Sequence, residues 1–136
     1  MSNMKKVLLD YSEKVYRSIE NQLQRADRDV IVTADGKLKL GHEGAKKGSF
    51  IYLLYDENDV LLYVGETGTT IKKRLKADGS GAHYVTNRTM YDETSYIKYL
   101  KTTKGDALSP MERKMIEQAL TIYLKPKYYN KEIWEY

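Results

Sequence analysis

The chain has 136 residues, no cysteine and a formal net charge of +4, with a pI near 9.0. This length predicts one domain, and the absence of cysteine excludes disulfides and thiolate metal sites and fits a cytoplasmic protein. The sequence lacks an apolar run of about 18 residues and an apolar N-terminal segment, so we expect neither a membrane span nor a signal peptide, and the positive charge mildly favours a polyanionic partner.

An extension precedes the main group of motifs. Apolar residues recur at steps of three and four from Leu8 to Leu23, which predicts a helix from about Lys5 to Ala26. Asp29–Thr33 and Lys37–Leu40 then flank a turn, which suggests a short hairpin. The following Gly41–Gly48 segment is rich in glycine and contains Lys46 and Lys47. It is either a solvated linker or a loop that closes over phosphates.

A second hairpin is predicted where Phe50–Tyr55 and Val60–Val64 flank the polar turn Asp56–Asp59. Alternation along the strands places the phenols of Tyr52 and Tyr63 on one face of this hairpin. Gly65 is expected to end the second strand, where a residue without Cβ permits a sharp turn or close approach to a ligand. Taken singly, each tyrosine is better explained by packing in the sheet, and only the combination of motifs favours a functional role.

Further elements follow the hairpin. Thr69 or Thr70 is a suitable N-cap for a helix to about Ala77, and Thr94–Leu100 is a third strand with Ile97 and Tyr99 on the same face. Ser109, Pro110 and Glu112 form a capping box with proline at the first helical position. The helix that they begin is expected to bury a stripe, formed by Met111, Met115, Ala119, Ile122 and Tyr123. Glu117 lies off this stripe, so the helix alone favours a solvated glutamate.

Read together, these segments resemble the GIY-YIG nuclease family. The resemblance covers residues 50–130 and is carried by Phe50–Tyr52, Tyr63–Gly65, Arg74–Leu75, Glu117 with the residues after it, and Asn130. It implies an α+β fold with a small three-stranded, mainly antiparallel sheet flanked by helices. We therefore expect a helix and hairpin extension at residues 1–47, packed on or beside a nuclease-like core at residues 48–136.

The resemblance also implies an activity and its residues. Tyr52, Tyr63, Arg74 and Glu117 would be catalytic, and Glu117 would bind Mg²⁺, with Mn²⁺ as the alternative ion. Glu112 is the rival of Glu117, although the capping box already accounts for it, and Lys73 is the rival of Arg74. The substrate-binding candidates are cations and polar groups of four segments: the connector, the helix predicted after Thr70, the loop that follows it and the C-terminal segment. They are Lys46, Lys47, Lys73, His83 and Asn130.

These residue types suit hydrolysis of a phosphodiester. A carboxylate provides the oxygen ligands that Mg²⁺ prefers, and an arginine can clamp phosphoryl oxygens with its planar fork. A phenol near a cation can orient or deprotonate the attacking water. We therefore expect a stand-alone, restriction-like DNA endonuclease that acts on duplex DNA as a homodimer or higher homo-oligomer, with the N-terminal helix as the contact between copies. Two alternatives stay open: the N-terminal helix packs onto its own sheet, and the substrate is RNA. The alternative function is a catalytically weak nucleic-acid-binding or protein-interaction module with the same fold.

Overall fold

The computed structural model describes residues 3–27, 48–68, 93–102 and 107–128. Within these ranges the fold is α+β, with an N-terminal helix, an antiparallel sheet and a C-terminal helix. In chain order the elements are α1 (Asn3–Ile19), a 3-10 turn (Glu20–Gln22), β1 (Gln24–Asp27), β2 (Ser49–Tyr55), β3 (Leu61–Thr67), β4 (Tyr96–Thr102) and α2 (Pro110–Leu124).

Four described strands form one sheet in the order β1-β4-β2-β3, and each neighbouring pair is antiparallel. The sequence predicted three strands, and the additional one is β1. The helix predicted to reach Ala26 ends at Ile19, and Leu23 is already extended, with ψ of 129°. Residues 24–27 instead pair with β4, because backbone hydrogen bonding to an existing strand outweighs a weak helical preference.

The β2–β3 hairpin is fixed by its turn. The carboxylate of Asp56 accepts backbone hydrogen bonds from Asn58 at 2.8 Å and from Val60 at 2.9 Å. Asp59 adopts a left-handed conformation with φ of 62°, which Asp tolerates better than most residues. The ladder contains an irregularity between Leu54 and Tyr55. The predicted hairpin is therefore confirmed, with a second strand that begins and ends later than expected.

Each face of the sheet has its own core cluster. One face, called here the phenol face, buries Phe50, Tyr52, Leu54, Leu62, Ile97 and Tyr99. The opposite face, called here the helix face, packs against α1 and α2 and buries Ile19, Ile51, Leu53, Val64 and Leu120. The predicted placement of Ile97 and Tyr99 on one face is confirmed.

The C-terminal helix begins as predicted, and Ala119 of the predicted stripe is buried, but the N-terminal part of that stripe is not. Ser109 Oγ accepts from the backbone N–H of Glu112, and the Glu112 carboxylate accepts from the backbone N–H of Ser109. Met111 and Met115 are, however, 75% and 50% exposed. The predicted stripe is wrong at this end because α2 turns Leu120, rather than the two methionines, toward the sheet.

Candidate active site

The hairpin register brings the two candidate phenols together. Tyr52 lies directly opposite Gly65, and Tyr63 lies directly opposite Leu54, so both tyrosines point to the phenol face. Their ring centroids are 6.5 Å apart and the ring planes are tilted by 44°. The prediction that alternation puts both phenols on one side is confirmed.

Gly65 makes room for the ring of Tyr52. A Cβ atom at position 65 would overlap with Cζ and the hydroxyl oxygen of Tyr52 and would lie 2.6 Å from Cε2. The expectation that Gly65 ends the strand is wrong, since β3 continues to Thr67. The glycine lies inside the strand, and its missing side chain lets the phenol cross the edge strand.

The two phenols differ in burial. Tyr52 is only 3% exposed and packs with Phe50 and Leu54, whereas Tyr63 is partly buried at the border of the same cluster. Tyr128, which follows α2, packs against this cluster too. The core therefore fixes the orientation of Tyr52, while Tyr63 retains more access to solvent.

The segment after α2 is hydrogen-bonded to the start of β3. The backbone N–H groups of Lys127 and Tyr128 donate to the carbonyls of Leu61 and Leu62 at 3.0 and 2.8 Å. The carboxylate of Glu93 accepts from the Tyr128 hydroxyl and from Lys127 Nζ, and these two contacts lower the pKa of Glu93. The chain thus passes from the helix face to the phenol face beside the start of β3, the outer strand of the described sheet.

A buried ion pair lies on the helix face beside Gly65. Glu66 points to this face, and its Oε2 accepts from Arg113 Nε at 2.8 Å. Their side chains are 13% and 11% exposed. Arg113 also donates to the carbonyl of Leu108 at 2.8 Å and to Ser49 Oγ at 3.4 Å. This guanidinium therefore joins the beginning of α2 to the end of β3 and the beginning of β2.

Lys114 connects this pair to the candidate metal ligand. Its Nζ lies 3.8 Å from Oε1 of Glu66 and 3.7 Å from Oε2 of Glu117. The Glu117 side chain is only 16% exposed, so it is not the solvated glutamate that the helix pattern favours. Glu112, its rival, is exposed, and hydrogen bonding to the Ser109 backbone and side chain lowers its pKa. Of the two glutamates, Glu117 is the more buried.

The candidate groups approach the same part of β3 from opposite faces. On the phenol face the Tyr52 ring crosses Gly65. On the helix face the next residue, Glu66, shares the ammonium of Lys114 with Glu117. Because β3 is the outer strand of the described sheet, both sets of groups lie at one edge. We refer to this region as the β3 edge.

Several predicted site residues lie outside the residues that the structure describes: Lys46, Lys47, Lys73, Arg74, His83 and Asn130. The predicted extension hairpin, the Gly41–Lys47 part of the connector and the helix after Thr70 also fall there. Their assignments remain predictions from the sequence.

Sequence reasoning overlooked three charged residues of the β3 edge, namely Glu66, Arg113 and Lys114. The alternation of β3 would place Glu66 on the face opposite Tyr63. A helix likewise places residues three and four apart on one side, which joins Lys114 and Arg113 to Glu117. The contact between Glu66 and Arg113, 47 positions apart, has no local signal.

No protein-family model, curated protein or solved structure matches this chain. Among the residues that the structure describes, there is no group of three or more His, Cys, Asp or Glu side chains placed to hold a metal ion. The described helices also include none that is long and apolar enough to cross a membrane.

Proposed function

We propose that this protein is a divalent-metal-dependent DNA endonuclease of the GIY-YIG type. The observation that carries the proposal is the β3 edge, where the Tyr52 phenol crosses Gly65 and Lys114 links the carboxylate of Glu117 to Glu66 of the same strand. Three features agree with the resemblance found in the sequence: the antiparallel hairpin, the later helix that contains Glu117, and the two phenols on one face.

The carboxylates at this edge suit a hard cation. Oε1 of Glu66 and Oε2 of Glu117 both lie within 4 Å of one ammonium nitrogen, which is itself a cation. Carboxylate oxygens are the ligands that Mg²⁺ and Mn²⁺ prefer. Glu117 would hold the ion, and Lys114 links it to the carboxylate of Glu66. A bound ion of this kind polarises the phosphate and stabilises the departing oxygen.

The phenols and cations of the chain would supply the remaining functions. Tyr52, held rigidly by the core, would orient the attacking water or take its proton. A phenol with an unperturbed pKa of about 10 needs a nearby positive charge for proton abstraction near neutral pH. Arg74 would provide that charge and clamp the phosphoryl oxygens. Tyr63, which is more exposed, would contact the phosphate or the water.

The substrate that we propose is duplex DNA, which the net charge of +4 favours. Lys46, Lys47, Lys73, His83 and Asn130 would bind it. The runner-up is a catalytically weak module that binds nucleic acid or protein. It is favoured by the separation of the phenols from Glu117 by the sheet, and by the ion pair that Lys114 makes with Glu117.

Cleavage of supercoiled plasmid separates the two functions. The wild-type protein should produce nicked or linear DNA with Mg²⁺ and lose that activity with EDTA. Glu117→Ala should abolish cleavage but retain DNA binding, whereas the neighbouring Gln118→Ala should cleave normally. Full activity of Glu117→Ala would reject the metal assignment. A wild-type protein that binds DNA but never cuts it would establish the runner-up.

We also propose that two copies act together on duplex DNA, because one site cuts one strand and a twofold dimer places a second site opposite it. The N-terminal half of α1 and the start of α2 expose large apolar side chains that a second copy would cover: Met4, Val7, Leu8, Tyr11, Met111 and Met115. Light scattering with and without DNA should detect a dimer that Leu8→Lys weakens. A strict monomer that yields only nicked circles would reject the dimer.

A further inference from the structure

The guanidinium of Arg113 has one nitrogen that its buried ion pair does not use. Nε donates to Glu66, and Nη1 donates to the carbonyl of Leu108 and to Ser49 Oγ. Among the residues that the structure describes, none accepts a hydrogen bond from Nη2. The hydrogen bonds that join α2 to the sheet through this arginine are therefore made by Nε and Nη1 alone.

Nη2 reaches the surface of the protein. Arg113 as a whole is only 9% exposed. Every buried side-chain nitrogen or oxygen in the described ranges has a hydrogen-bond partner, so Nη2, which has none, is not one of the buried atoms. The small exposed part of this arginine therefore includes Nη2, which carries two N–H donors.

Gly68, which follows the end of β3, leaves this nitrogen uncovered. A Cβ atom at position 68 would lie 2.6 Å from Nη2 of Arg113 and 3.1 Å from its Cζ. The φ angle of Gly68 lies outside the left-handed region, so the backbone does not require a glycine there. The glycine instead provides space beside the guanidinium. We call this space, with Nη2 at its base, the Gly68 notch.

We propose that the Gly68 notch binds a phosphate group of a nucleic-acid backbone, with Nη2 of Arg113 as the donor. Guanidinium N–H groups form strong, charge-assisted hydrogen bonds with phosphate oxygens. Glu66, Leu108 and Ser49 already hold the guanidinium, so little side-chain freedom is lost when a phosphate binds. The inference rests on the proposed function and adds a residue to its DNA-binding surface.

The place of the notch on β3 favours a nucleic acid as the ligand. Gly65 and Gly68 are three residues apart, which is about 10 Å along an extended chain. Successive phosphates of one DNA strand are spaced by about 3.4 Å along the helix axis. A DNA strand whose reacting phosphate lies near Tyr52 and Gly65 therefore brings another phosphate within reach of the notch. A free phosphate ion cannot span the two positions.

Binding of a short fluorescent DNA duplex in EDTA tests the notch. The test variant is Gly68→Ala, because its methyl group covers Nη2 and meets only the far end of a side chain, so circular dichroism should show a retained fold. Loss of one charge-assisted hydrogen bond should weaken binding by about tenfold or more. The control is Ser49→Ala, which removes an acceptor of Nη1 but leaves Nη2 uncovered. Its affinity should equal that of the wild type.

A second measurement uses the wild-type protein. The NMR signal of the Arg113 Nε–H group should shift when the duplex is added, and should shift much less with inorganic phosphate at the same phosphate concentration. An unchanged signal overturns the inference, including the case in which Gly68→Ala fails to fold. An equal shift with inorganic phosphate assigns the notch to a free phosphate ligand and also overturns it.

The outcomes separate this inference from the nuclease proposal, because binding is measured without metal. Weaker binding by Gly68→Ala, in a protein that never cleaves DNA, supports the notch and rejects the nuclease. Cleavage by the wild type, with unchanged binding by the folded Gly68→Ala variant, overturns the notch alone. An equal loss of binding in Ser49→Ala also overturns it, because the loss would then follow from the position of the guanidinium. A wild-type protein that binds no duplex rejects both.

Discussion

The two faces of the sheet hold their polar groups in different ways. On the phenol face, packing fixes Tyr52, whose ring rests where Gly65 has no side chain. On the helix face, charge fixes Glu66, which Arg113 binds at 2.8 Å and Lys114 approaches at 3.8 Å. The first arrangement should respond to changes of side-chain volume and the second to changes of charge. Each can therefore be broken without directly altering the other.

The largest effect on stability is expected from the helix face. Arg113→Met removes the guanidinium and leaves Glu66 buried without its main partner, which should lower the free energy of unfolding by about 3–5 kcal/mol. Urea denaturation measures the loss. The matched control is Arg17→Met, because the Arg17 side chain is 54% exposed and its ion pairs with Glu13 and Glu20 are solvated. That change should cost much less, because solvated ion pairs contribute little to stability. Equal losses in both variants would contradict the role given to burial.

The phenol face should control catalysis more than stability. If the Tyr52 hydroxyl acts on the attacking water, Tyr52→Phe should lower the single-turnover cleavage rate by about 10²-fold, while circular dichroism shows that the fold is retained. The control is Tyr99→Phe, since Tyr99 lies opposite Tyr52 in β4 and its hydroxyl donates to Gln24. Normal cleavage by Tyr52→Phe would make this tyrosine a packing residue only.

The assignment of Arg74 as the phosphate-binding arginine can be tested with the same single-turnover cleavage rate. Arg74→Ala should lower cleavage by about 10²-fold, because a planar guanidinium clamps phosphoryl oxygens in the transition state. Lys73→Ala should be nearly neutral. If Lys73→Ala is the damaging change and Arg74→Ala is harmless, the assignment is wrong by one residue. Circular dichroism of both variants checks that the fold is retained.

An added side chain should destabilise the protein at position 65 and much less at position 48. A methyl group at position 65 meets the Tyr52 ring, which the core prevents from moving away, so Gly65→Ala should cost about 1–3 kcal/mol and also slow cleavage. A methyl group at position 48 lies 2.9 Å from Cε of Lys101, the far part of a flexible side chain, and 3.2 Å from Cε2 of Phe50, a less severe overlap than the one with the Tyr52 ring. Thermal unfolding of the two variants compares them directly. A Gly65→Ala protein as stable as Gly48→Ala would mean that Tyr52 is not tightly held.

The sequence predicts the phenol face better than the helix face, for a physical reason. Alternation along a strand is a local property, so it places Tyr52 and Tyr63 together without knowledge of the rest of the chain. The Arg113–Glu66 pair depends on how α2 lies over β3, and in the sequence both residues resemble solvated charges. The short strand β1 was missed because Leu23 continues the helical spacing while still packing on the core.

The misplaced stripe of α2 has a related cause. Met111 and Met115 continue the helical period of the buried residues, and periodicity alone cannot show which side of a helix meets the sheet. The contact of α1 with α2 and of α2 with β3 decides that instead, and it turns Leu120 inward. The capping box was predictable because all of its contacts lie within four residues.

The smallest expected effect concerns that capping box, which sets where α2 begins and so aligns Arg113, Lys114 and Glu117 with β3. Ser109→Ala should lower the free energy of unfolding by about 1 kcal/mol, since the backbone N–H of Glu112 loses its acceptor.

Glu112→Gln tests the contribution of the carboxylate charge alone. The pKa of Glu112 is lower in the folded protein, so its contribution to stability is present above its unfolded pKa and is lost as the pH falls through the folded value. Denaturation at pH 7 and pH 3 should therefore show a smaller pH dependence in Glu112→Gln than in the wild type. An unchanged pH dependence would mean that the carboxylate only supplies a neutral acceptor and that the start of α2 does not depend on its charge.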